Sequence, residues 1–404
     1  MSSSTLFVLL SAMASTVLAS PTRLSMAPAS YQHEHTVGAA YFMTNEPTGN
    51  YLVSSTIASD GKLALYEAIH TGGVGAHGLP APPGMDPLFS QGSIGVSSAK
   101  RFVANVNSGS NTVSVFGLDS FNPARLVPIG KPVSSGGEFP TSLAINKAGT
   151  RVCAVNAGKV NGVSCYEFDN FFGLKPIKNS IRSLGLNQTT PATGPPNTPS
   201  QIIFSQNEKQ LIVSVKAGYL AVWDVNSDGS LSKTFKTVSG GVLPFSLNHI
   251  PGKNALLASD PGVGYDIFDL DAPKTRAAGV STPIPNQGAN CWSVYSKESK
   301  NFYIIDVGKS VLTEVTVNSS LNSSIVKQYN VAPDGPLDSD VATVGKKDFI
   351  YSLSANVTGL AVYAVNGVGK ASVYQRLDVA GPAKAAKLPI NHTNIQGLAT
   401  FIAI

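Results

Sequence analysis

The chain has 404 residues, of which 13% are charged and 43% hydrophobic, with 38 glycines, 26 prolines and a formal net charge of +5. This balance excludes an intrinsically disordered chain, which would combine high charge with low hydrophobicity. The basic residues are scattered and form no Lys/Arg run, so we expect no nucleic-acid partner and no basic membrane patch.

Residues 1–19 have the features of a secretory signal peptide. A short apolar stretch at 6–18 ends in Val17-Leu18-Ala19, a small-residue cleavage pattern. The stretch is too short to span a bilayer, and no other apolar run of about 20 residues occurs, so we predict export without a membrane span. We assign residues 20–37 to a mature N-terminal extension and residues 38–404 to a single domain.

The extension contains His33-Glu34-His35, which offers metal-ligand side chains. A stable zinc site needs at least three protein ligands, and no further ligand lies near this segment. The other histidines are dispersed along the chain. We therefore predict no metal site and no cofactor.

A short segment of alternating apolar residues recurs seven times, at intervals of 45 to 57 residues. This period is typical of four-stranded propeller blades. Two strand-like runs precede each copy, and Asp-Gly turns lie next to two of the copies, at Asp60-Gly61 and Asp228-Gly229. The sequence therefore predicts an all-β fold, a seven-bladed β-propeller of four-stranded blades, with third strands at 63–66, 113–116, 163–166, 220–223, 265–268, 312–315 and 360–363.

The first blade lacks an innermost strand of its own. Residues 38–45 already have the pattern of a second strand, which would lead to a third strand at 63. At the other end of the chain, residues 395–401 have the pattern of an innermost strand with no blade after it. We predict that this C-terminal strand joins the N-terminal blade and closes the ring, which leaves no open sheet edge.

Two of the three cysteines occupy adjacent strand-like segments. Cys153 and Cys165 flank a turn at 157–161, and a hairpin centred there places them directly opposite each other. In an oxidising compartment we predict a disulfide between them. Cys291, in an apolar strand, is interpreted as a buried free thiol.

Five Asn-x-Ser/Thr sequons predict a glycoprotein, because the acceptor asparagine of a sequon has to face solvent. A proline-containing loop at 184–199 accounts for the longest interval between repeats and carries the first sequon. The predicted glycosylation sites are Asn187, Asn318, Asn322, Asn356 and Asn391.

Several segments carry a family resemblance: Gly137-Glu138-Phe139-Pro140, residues 152–166, Thr198-Pro199-Ser200-Gln201, Ser214-Val215-Lys216 and Gln396-Gly397-Leu398-Ala399. They resemble the lactonase-type seven-bladed propellers, a superfamily that includes 3-carboxymuconate cyclases and 6-phosphogluconolactonases. Within it the chain is most similar to secreted fungal carboxymuconate-cyclase-like glycoproteins. The resemblance covers essentially the whole mature chain and implies the fold, whereas activity depends on the site.

The resemblance also implies a ligand site at one mouth of the central channel. The resembling enzymes use His and Arg there, because an anionic substrate needs cations and a group that moves a proton. Their His lies shortly before an innermost strand, and the matching stretch 138–142 has none. Among the arginines only Arg182 is placed to reach these loops, so we expect the inherited active site to be dismantled.

Other polar residues are predicted to line this mouth. Glu138 and Lys216 are the candidate catalytic acid and base, with a structural ion pair as the alternative. Trp292 would stack on a ring of the ligand, with packing between blades as its alternative. The remaining predicted ligand-binding residues are Gln201, Asn290, Asp306 and Asp338.

Two functions are compatible with these features. The first is a non-catalytic, adhesin-like binding protein, secreted to the extracellular space or cell wall, that recognises a small lactone or carboxylate, a glycan or a host surface protein. The second is a lactonase, or a cycloisomerase of the type that lactonises 3-carboxy-cis,cis-muconate, with a site rearranged around Glu138 and Lys216. The missing His and Arg favour binding, and we expect a monomer.

Overall fold

The computed structural model of the protein describes residues 22–26, 36–79, 84–273 and 278–403. The predicted signal peptide at 1–19 and the segment His33-Glu34-His35 lie outside these residues. Within the predicted extension, Arg23–Ser25 forms a strand at the outer edge of the first sheet. None of the described helices is long and apolar enough to cross a membrane.

Seven antiparallel sheets form the seven blades that the repeat predicts. Each innermost strand faces the central channel, and the second, third and fourth strands follow outward. From the channel outward, blade 1 contains β31 (Gln396–Ile402), β2 (Thr36–Met43), β3 (Tyr51–Ala58), β4 (Leu63–His70) and β1 (Arg23–Ser25); blade 2 contains β5 (Ile94–Ser97), β6 (Phe102–Asn107), β7 (Thr112–Leu118) and β8 (Leu126–Pro128), with β9 (Val133–Ser134) also on β7; blade 3 contains β10 (Pro140–Ile145), β11 (Arg151–Asn156), β12 (Gly162–Asp169) and β13 (Gly173–Pro176), with β14 (Arg182–Ser183) also on β12; blade 4 contains β15 (Pro199–Phe204), β16 (Gln210–Val215), β17 (Tyr219–Asp224) and β18 (Lys236–Ser239).

The last three blades each have four strands, and a short helix, α1 (Ala380–Ala386), precedes the closing strand β31. Blade 5 contains β19 (Leu247–His249), β20 (Ala255–Asp260), β21 (Gly264–Asp269) and β22 (Gly279–Pro283); blade 6 contains β23 (Asn290–Ser296), β24 (Asn301–Asp306), β25 (Val311–Val317) and β26 (Ser323–Asn330); blade 7 contains β27 (Pro336–Val344), β28 (Lys347–Ser354), β29 (Gly359–Val365) and β30 (Ala371–Asp378).

The burial of a strand depends on its distance from the channel. The second strand β6 is buried at all of its residues, because neighbouring blades cover both of its faces. The fourth strand β26 contains no fully buried residue, because it lies at the outer rim of its blade. Third strands are the outermost ones with both faces largely covered, which explains why their apolar residues repeat along the sequence.

The repeat copy at 63–66 is not a third strand, so that prediction was wrong. It lies in β4, the fourth strand of blade 1, and the third strand of this blade is β3. The central residues of β3 are Ser54, Ser55 and Thr56, which are polar and yet buried. Because these residues hide the apolar alternation, the sequence gives no clear signal for β3. The other six copies lie in third strands as predicted.

The C-terminal strand closes the ring as predicted. β31 pairs antiparallel with β2, with Gly38 opposite Ile402 and Ala40 opposite Thr400. The first sheet therefore combines both ends of the described chain. This pairing supplies the innermost strand that blade 1 lacks in its own part of the sequence.

Innermost strands leave one backbone edge facing the channel, and side chains of adjacent blades bond to these edges. The Ser142 hydroxyl oxygen accepts a hydrogen bond from the Ile202 N–H at 3.3 Å. The Asp340 carboxylate accepts one from the Thr400 N–H at 2.8 Å. Such bonds satisfy backbone groups that have no strand partner and join neighbouring blades around the channel.

The predicted disulfide is present. Cys153 and Cys165 are directly opposite in the pairing of β11 with β12, and their Cα atoms are 4.0 Å apart. Cys291 is a free cysteine. All five sequon asparagines are exposed, as the prediction of solvent-facing positions requires: Asn187, Asn318, Asn322, Asn356 and Asn391.

Candidate functional site

The candidate site lies at the upper mouth of the channel, which we define as the end where innermost strands begin and second strands end. The opposite end is the lower mouth. In the structure, residues 86–92 of the chain itself fill the upper mouth, and we call this segment the plug. It runs directly into β5, which has four residues where the adjacent β10 has six. The chain therefore uses the upper part of one innermost strand to occupy the channel.

The plug is buried although it has no regular secondary structure. Leu88 and Ser90 are 0% exposed, Asp86 7% and Phe89 8%. Asp86 and Phe89 have left-handed φ angles of 73° and 54°, which turn the chain sharply into the channel. Irregular segments are rarely buried, because their backbone polar groups need partners. The upper mouth supplies these partners.

Lys216, predicted to be catalytic, bonds to the plug. Its Nζ donates a hydrogen bond to the Phe89 carbonyl at 2.6 Å and another to the Pro199 carbonyl at 3.3 Å. The Ser200 hydroxyl donates to the same Phe89 oxygen at 3.2 Å. Lys216 is 1% exposed, and its ammonium lies 4.8 Å from the centre of the Phe245 ring. The amine is therefore occupied by the backbone of its own chain.

Trp292, predicted to stack on a ligand, lies beneath the plug. Its indole N–H donates to the Ser90 carbonyl at 3.1 Å, and the Gln396 amide donates to the same oxygen at 3.0 Å. The indole is 0% exposed and packs edge to face against Phe245, with ring centres 5.5 Å apart. Its face is consequently closed to a ligand from solvent.

Gln91, near the end of the plug, bonds to blade 6 as a neighbouring strand would. Its amide oxygen accepts from the Ser293 N–H at 3.1 Å, and its amide nitrogen donates to the Ser293 carbonyl at 3.1 Å. The Ser142 hydroxyl donates to the Gln91 carbonyl at 2.7 Å. Together with the bonds above, these contacts tie the plug to blades 1, 3, 4 and 6.

Three titratable groups are buried at the upper mouth: Asp86 within the plug, and Asp338 and Lys216 around it. Burial raises the pKa of Asp86 to about 8; the Asp338 carboxylate adds to the shift and the Lys216 ammonium opposes it. Burial also raises the pKa of Asp338 to about 7, against hydrogen bonds from backbone N–H groups. Burial lowers the pKa of Lys216 to about 7, against the attraction of Asp86. This cluster can exchange protons near neutral pH, a property common at functional sites.

Asp338, predicted to bind ligand, instead fastens the closing strand. Its Oδ2 accepts from the Gln396 amide at 2.6 Å and from the Gly397 N–H at 2.9 Å. Asp338 is 1% exposed. The carboxyl group therefore links blade 7 to blade 1 beneath the plug.

The thiol of Cys291 faces the same cluster. Part of the residue reaches the surface, yet burial of the thiol raises its pKa well above the ordinary value, and the Asp86 carboxylate adds to this. A thiol with a raised pKa stays protonated and is a poor nucleophile. Cys291 is therefore inert in this environment.

Two further predicted ligand-binding residues hold loops at the upper mouth. The Asp306 carboxylate accepts hydrogen bonds from the N–H groups of Gly288 at 2.7 Å and Ala289 at 2.8 Å. The Asn290 amide donates to the Gln287 side chain at 2.7 Å. Both side chains are buried, so they act on the chain that leads into β23.

The structure does not bring Glu138 and Lys216 together. The Glu138 carboxylate accepts a hydrogen bond from the Thr190 hydroxyl, which fastens the long loop between blades 3 and 4. The carboxylate that interacts with Lys216 is Asp86. Gln201 lies lower in the channel, where its amide oxygen accepts from the Leu247 N–H.

Asp86, Gln91 and Gln396 complete the upper mouth, and the sequence did not identify them as site residues. Gln396 belongs to the strand predicted to close the ring, so its proximity to the channel follows from that prediction. Asp86 and Gln91 lie between blades 1 and 2, in a segment with the composition of an ordinary loop. No spacing or motif places that loop inside the channel.

The arginine predicted to reach the mouth points elsewhere. Arg182 Nε donates to the Ser232 carbonyl at 2.7 Å, at the outer edge of blade 4.

Within the described parts of the chain, no group of three or more His, Cys, Asp or Glu residues is placed to hold a metal ion.

Below the plug the channel is open. A cavity of about 440 Å³ extends from Gln91 and Gln201 down to Lys147 and Glu208 at the lower mouth. This volume falls within the range of about 300–1,000 Å³ that is usual for small-molecule sites. The accessible space in the channel thus lies at the end opposite to the predicted site.

No protein-family model matches the chain, and no curated protein sequence matches it. Solved structures do match. The chain is similar to the periplasmic gluconolactonase of Pseudomonas aeruginosa, with a TM-score of 0.64 and 14% identity over 91% of this chain and 100% of that one. It is similar to a proposed 6-phosphogluconolactonase of Bacteroides fragilis, with a TM-score of 0.61 and 12% identity over 90% and 98%. At these identities the likeness establishes a shared propeller fold.

Proposed function

We propose that this protein binds a small molecule without converting it, on a propeller fold that it shares with gluconolactonases. The observation that carries the proposal is the plug. Catalysis requires a space in which substrate meets the reacting groups, and at the upper mouth residues 86–92 occupy that space. Lys216 and Trp292 bond to the plug, and Asp338 is buried beneath it.

The charges at the upper mouth support the same conclusion. A carboxylate or phosphate substrate needs a free cation to hold it. The Lys216 ammonium donates to two backbone carbonyls, is 1% exposed and is accompanied by two buried carboxyl groups. An anion that entered would be repelled by Asp86 and Asp338 once these are ionised.

A lactonase or cycloisomerase is the second candidate, and one specific observation favours it. The cluster of Asp86, Asp338 and Lys216 titrates near neutral pH, which is where acid–base catalysis is most efficient. In that alternative the plug would have to leave the mouth. The acid and base would then be Asp86 or Asp338 with Lys216, and not Glu138 with Lys216.

Turnover assays separate the two functions. We expect the purified mature protein to leave glucono-δ-lactone, 6-phosphogluconolactone and 3-carboxymuconate at their spontaneous rates of reaction. Turnover that is lost in Lys216→Met and retained in Lys236→Met would overturn the binding proposal and establish the enzyme. Lys236 is the matched control because its side chain is 71% exposed and distant from the channel.

We further propose that the protein is a secreted, glycosylated monomer located outside the cell or in the cell wall. The exposure of all five sequon asparagines and the Cys153–Cys165 bond support this proposal. Expression of the full chain in a secreting eukaryotic host should yield extracellular protein that loses mass on treatment with an N-glycosidase. Retention inside the cell without glycans would contradict secretion and glycosylation. A molar mass of two chains in light scattering would contradict the monomer.

A further inference from the structure

The open lower part of the channel has a composition that selects among ligands. The inference drawn from it rests on the proposed binding function and names the ligand class. The cavity has an aliphatic stretch of wall, which includes Val96, Leu143, Ile203 and Leu398, and polar residues at its two ends and beside Asp340. Such walls favour an apolar ligand body, because burying it removes apolar surface from water.

One carboxylate, Asp340, interrupts these apolar walls. Its Oδ2 is saturated, since it accepts the Thr400 N–H at 2.8 Å and the Thr400 hydroxyl at 2.7 Å. Its Oδ1 accepts a single bond, from the Val341 N–H at 2.8 Å. A carboxylate oxygen has two acceptor positions, so Oδ1 retains one.

No cation of the cavity neutralises Asp340. Of the lining residues in the described chain, Lys147 is the one with a permanent positive charge. It lies at the rim, where its Nζ donates to the Gln206 carbonyl at 2.5 Å. His249 also lines the cavity, and burial lowers the pKa of its imidazole, which keeps it neutral.

Asp340 is half-buried, and a carboxylate that is partly shielded from water and has no counter-charge beside it is costly. Burial accordingly raises the pKa of Asp340. A ligand that brings a positive charge and a hydrogen-bond donor would remove this cost through a charge-assisted hydrogen bond. An anionic ligand would add to the cost.

A second polar group completes the site. The amide oxygen of Gln201 bonds to Leu247, whereas its amide nitrogen bonds to no group in the described parts of the chain. Gln201 lies at the upper end of the cavity and can donate to an acceptor on the ligand body.

We propose that the lower channel binds a small primary amine with an aliphatic body, with its ammonium group on Asp340 Oδ1. The carboxylate selects the cation, the aliphatic walls hold the body, and the rim at Lys147 and Glu208 is the entrance. The charge of Asp340 repels anionic ligands from this end of the channel.

Isothermal titration calorimetry of the full mature chain with three matched probes tests this proposal. We expect n-hexylamine to bind with one site per chain, 1-hexanol to bind at least about tenfold more weakly, and hexanoate not to bind. Asp340→Asn should reduce amine affinity at least about tenfold. Asp228→Asn is the control, because Asp228 is an exposed turn residue that bonds to Ser230.

Val96→Trp is an independent variant that keeps the carboxylate and fills the cavity with an indole; it should abolish amine binding. Equal affinities for the three probes, or unchanged amine affinity in Asp340→Asn and Val96→Trp, would overturn the assignment. Lack of amine binding would also overturn it and would leave the proposed function intact, since that proposal fails only if the lactone assays show turnover.

Discussion

The two mouths of the channel are built by the same seven blades and differ in what occupies them. At the upper mouth the plug accepts the hydrogen bonds of Lys216 and Trp292, and three titratable groups are buried there, one of them the plug's own Asp86. Toward the lower mouth the channel is open, with an aliphatic stretch of wall, the carboxylate of Asp340 beside it, and the charged residues Lys147 and Glu208 at the rim. The polar residues around the plug bond to the chain itself, whereas Asp340 and Gln201 in the open part of the channel have bonding capacity left for a ligand.

Replacement of Lys216 at the upper mouth should have the largest effect on the free energy of unfolding. In Lys216→Ala the Phe89 carbonyl loses its charged donor, and the buried carboxyl groups lose their counter-charge. Removing one partner of a buried charge network costs about 3–5 kcal/mol, which should appear as a lower free energy of unfolding in urea. The exposed control Lys236→Ala should cost about 0–1 kcal/mol. Similar losses in the two variants would show that the plug contributes little to stability.

Removal of the disulfide should weaken both mouths together. Blade 3 holds the plug through Ser142 and lines the lower cavity through Leu143. The double variant Cys153→Ala/Cys165→Ala should lose about 2–4 kcal/mol of unfolding free energy, because its unfolded chain is no longer cross-linked. Dithiothreitol should destabilise the wild-type protein and leave the double variant unaffected. A wild-type protein that stays equally stable after full reduction would contradict this.

Replacement of Asp86 at the upper mouth should change how the free energy of unfolding depends on pH. The pKa of Asp86 rises from 3.8 in the unfolded chain to about 8 in the folded one. Between these values the folded state holds a proton that the unfolded state releases, so this contribution to stability falls as pH rises toward 8. Lys216 acts in the opposite direction above pH 7, because its pKa falls from 10.5 to about 7 on folding.

Asp86→Asn should therefore flatten the decline between pH 5 and pH 8 by up to about 1.4 kcal/mol per pH unit. The asparagine oxygen can still accept the bond from the Ser90 N–H that Asp86 receives at 3.3 Å. Urea unfolding at each pH unit measures the effect, and Asp228→Asn should leave the slope in this range unchanged. Parallel profiles for wild type and Asp86→Asn would mean that Asp86 is ionised in the folded state as it is in the unfolded one.

The smallest expected effect concerns the lower mouth. Thr400→Val removes the hydroxyl bond to Asp340 and keeps the backbone bond, so we expect a loss of about 1 kcal/mol. Thr316→Val, a half-buried threonine of β25, should change stability by less than about 0.5 kcal/mol. Equal melting temperatures for these two variants would show that the Thr400 hydroxyl does not support Asp340.

Most of the fold was predictable because it follows from a repeated sequence pattern or from residues that are close together in the sequence. Six third strands, the ring closure by β31 and the Cys153–Cys165 bond follow from the blade period and from hairpin geometry. The third strand of blade 1 was missed because the buried residues Ser54, Ser55 and Thr56 interrupt its apolar pattern. Buried polar residues whose partners lie on other strands leave no local signal.

The sequence predicted where the upper-mouth residues lie, but it did not predict that the plug fills this mouth. Lys216, Trp292 and Asp338 do lie at the upper mouth, because the fold fixes where second strands end and innermost strands begin. The plug depends on contacts between distant parts of the chain: Phe89 and Lys216 are 127 positions apart. A single sequence contains no periodic or spacing signal for such contacts, so the plug appeared only in the structure.

The pairing of β31 with β2 has a consequence for synthesis of the protein on the ribosome. The plug bonds to Gln396, which lies 306 positions after Ser90, and blade 1 gains its innermost strand only from the last residues of the described chain. Because translation proceeds from the N-terminus and domains generally fold as units, the hydrogen bonds of the plug cannot all form until Gln396 has emerged from the ribosome. The nascent chain must therefore hold an unfinished first blade and a loosely placed plug through six later blades. Blade 1 is completed by a pairing between β2, which is translated before the other six blades, and β31, which is translated after them.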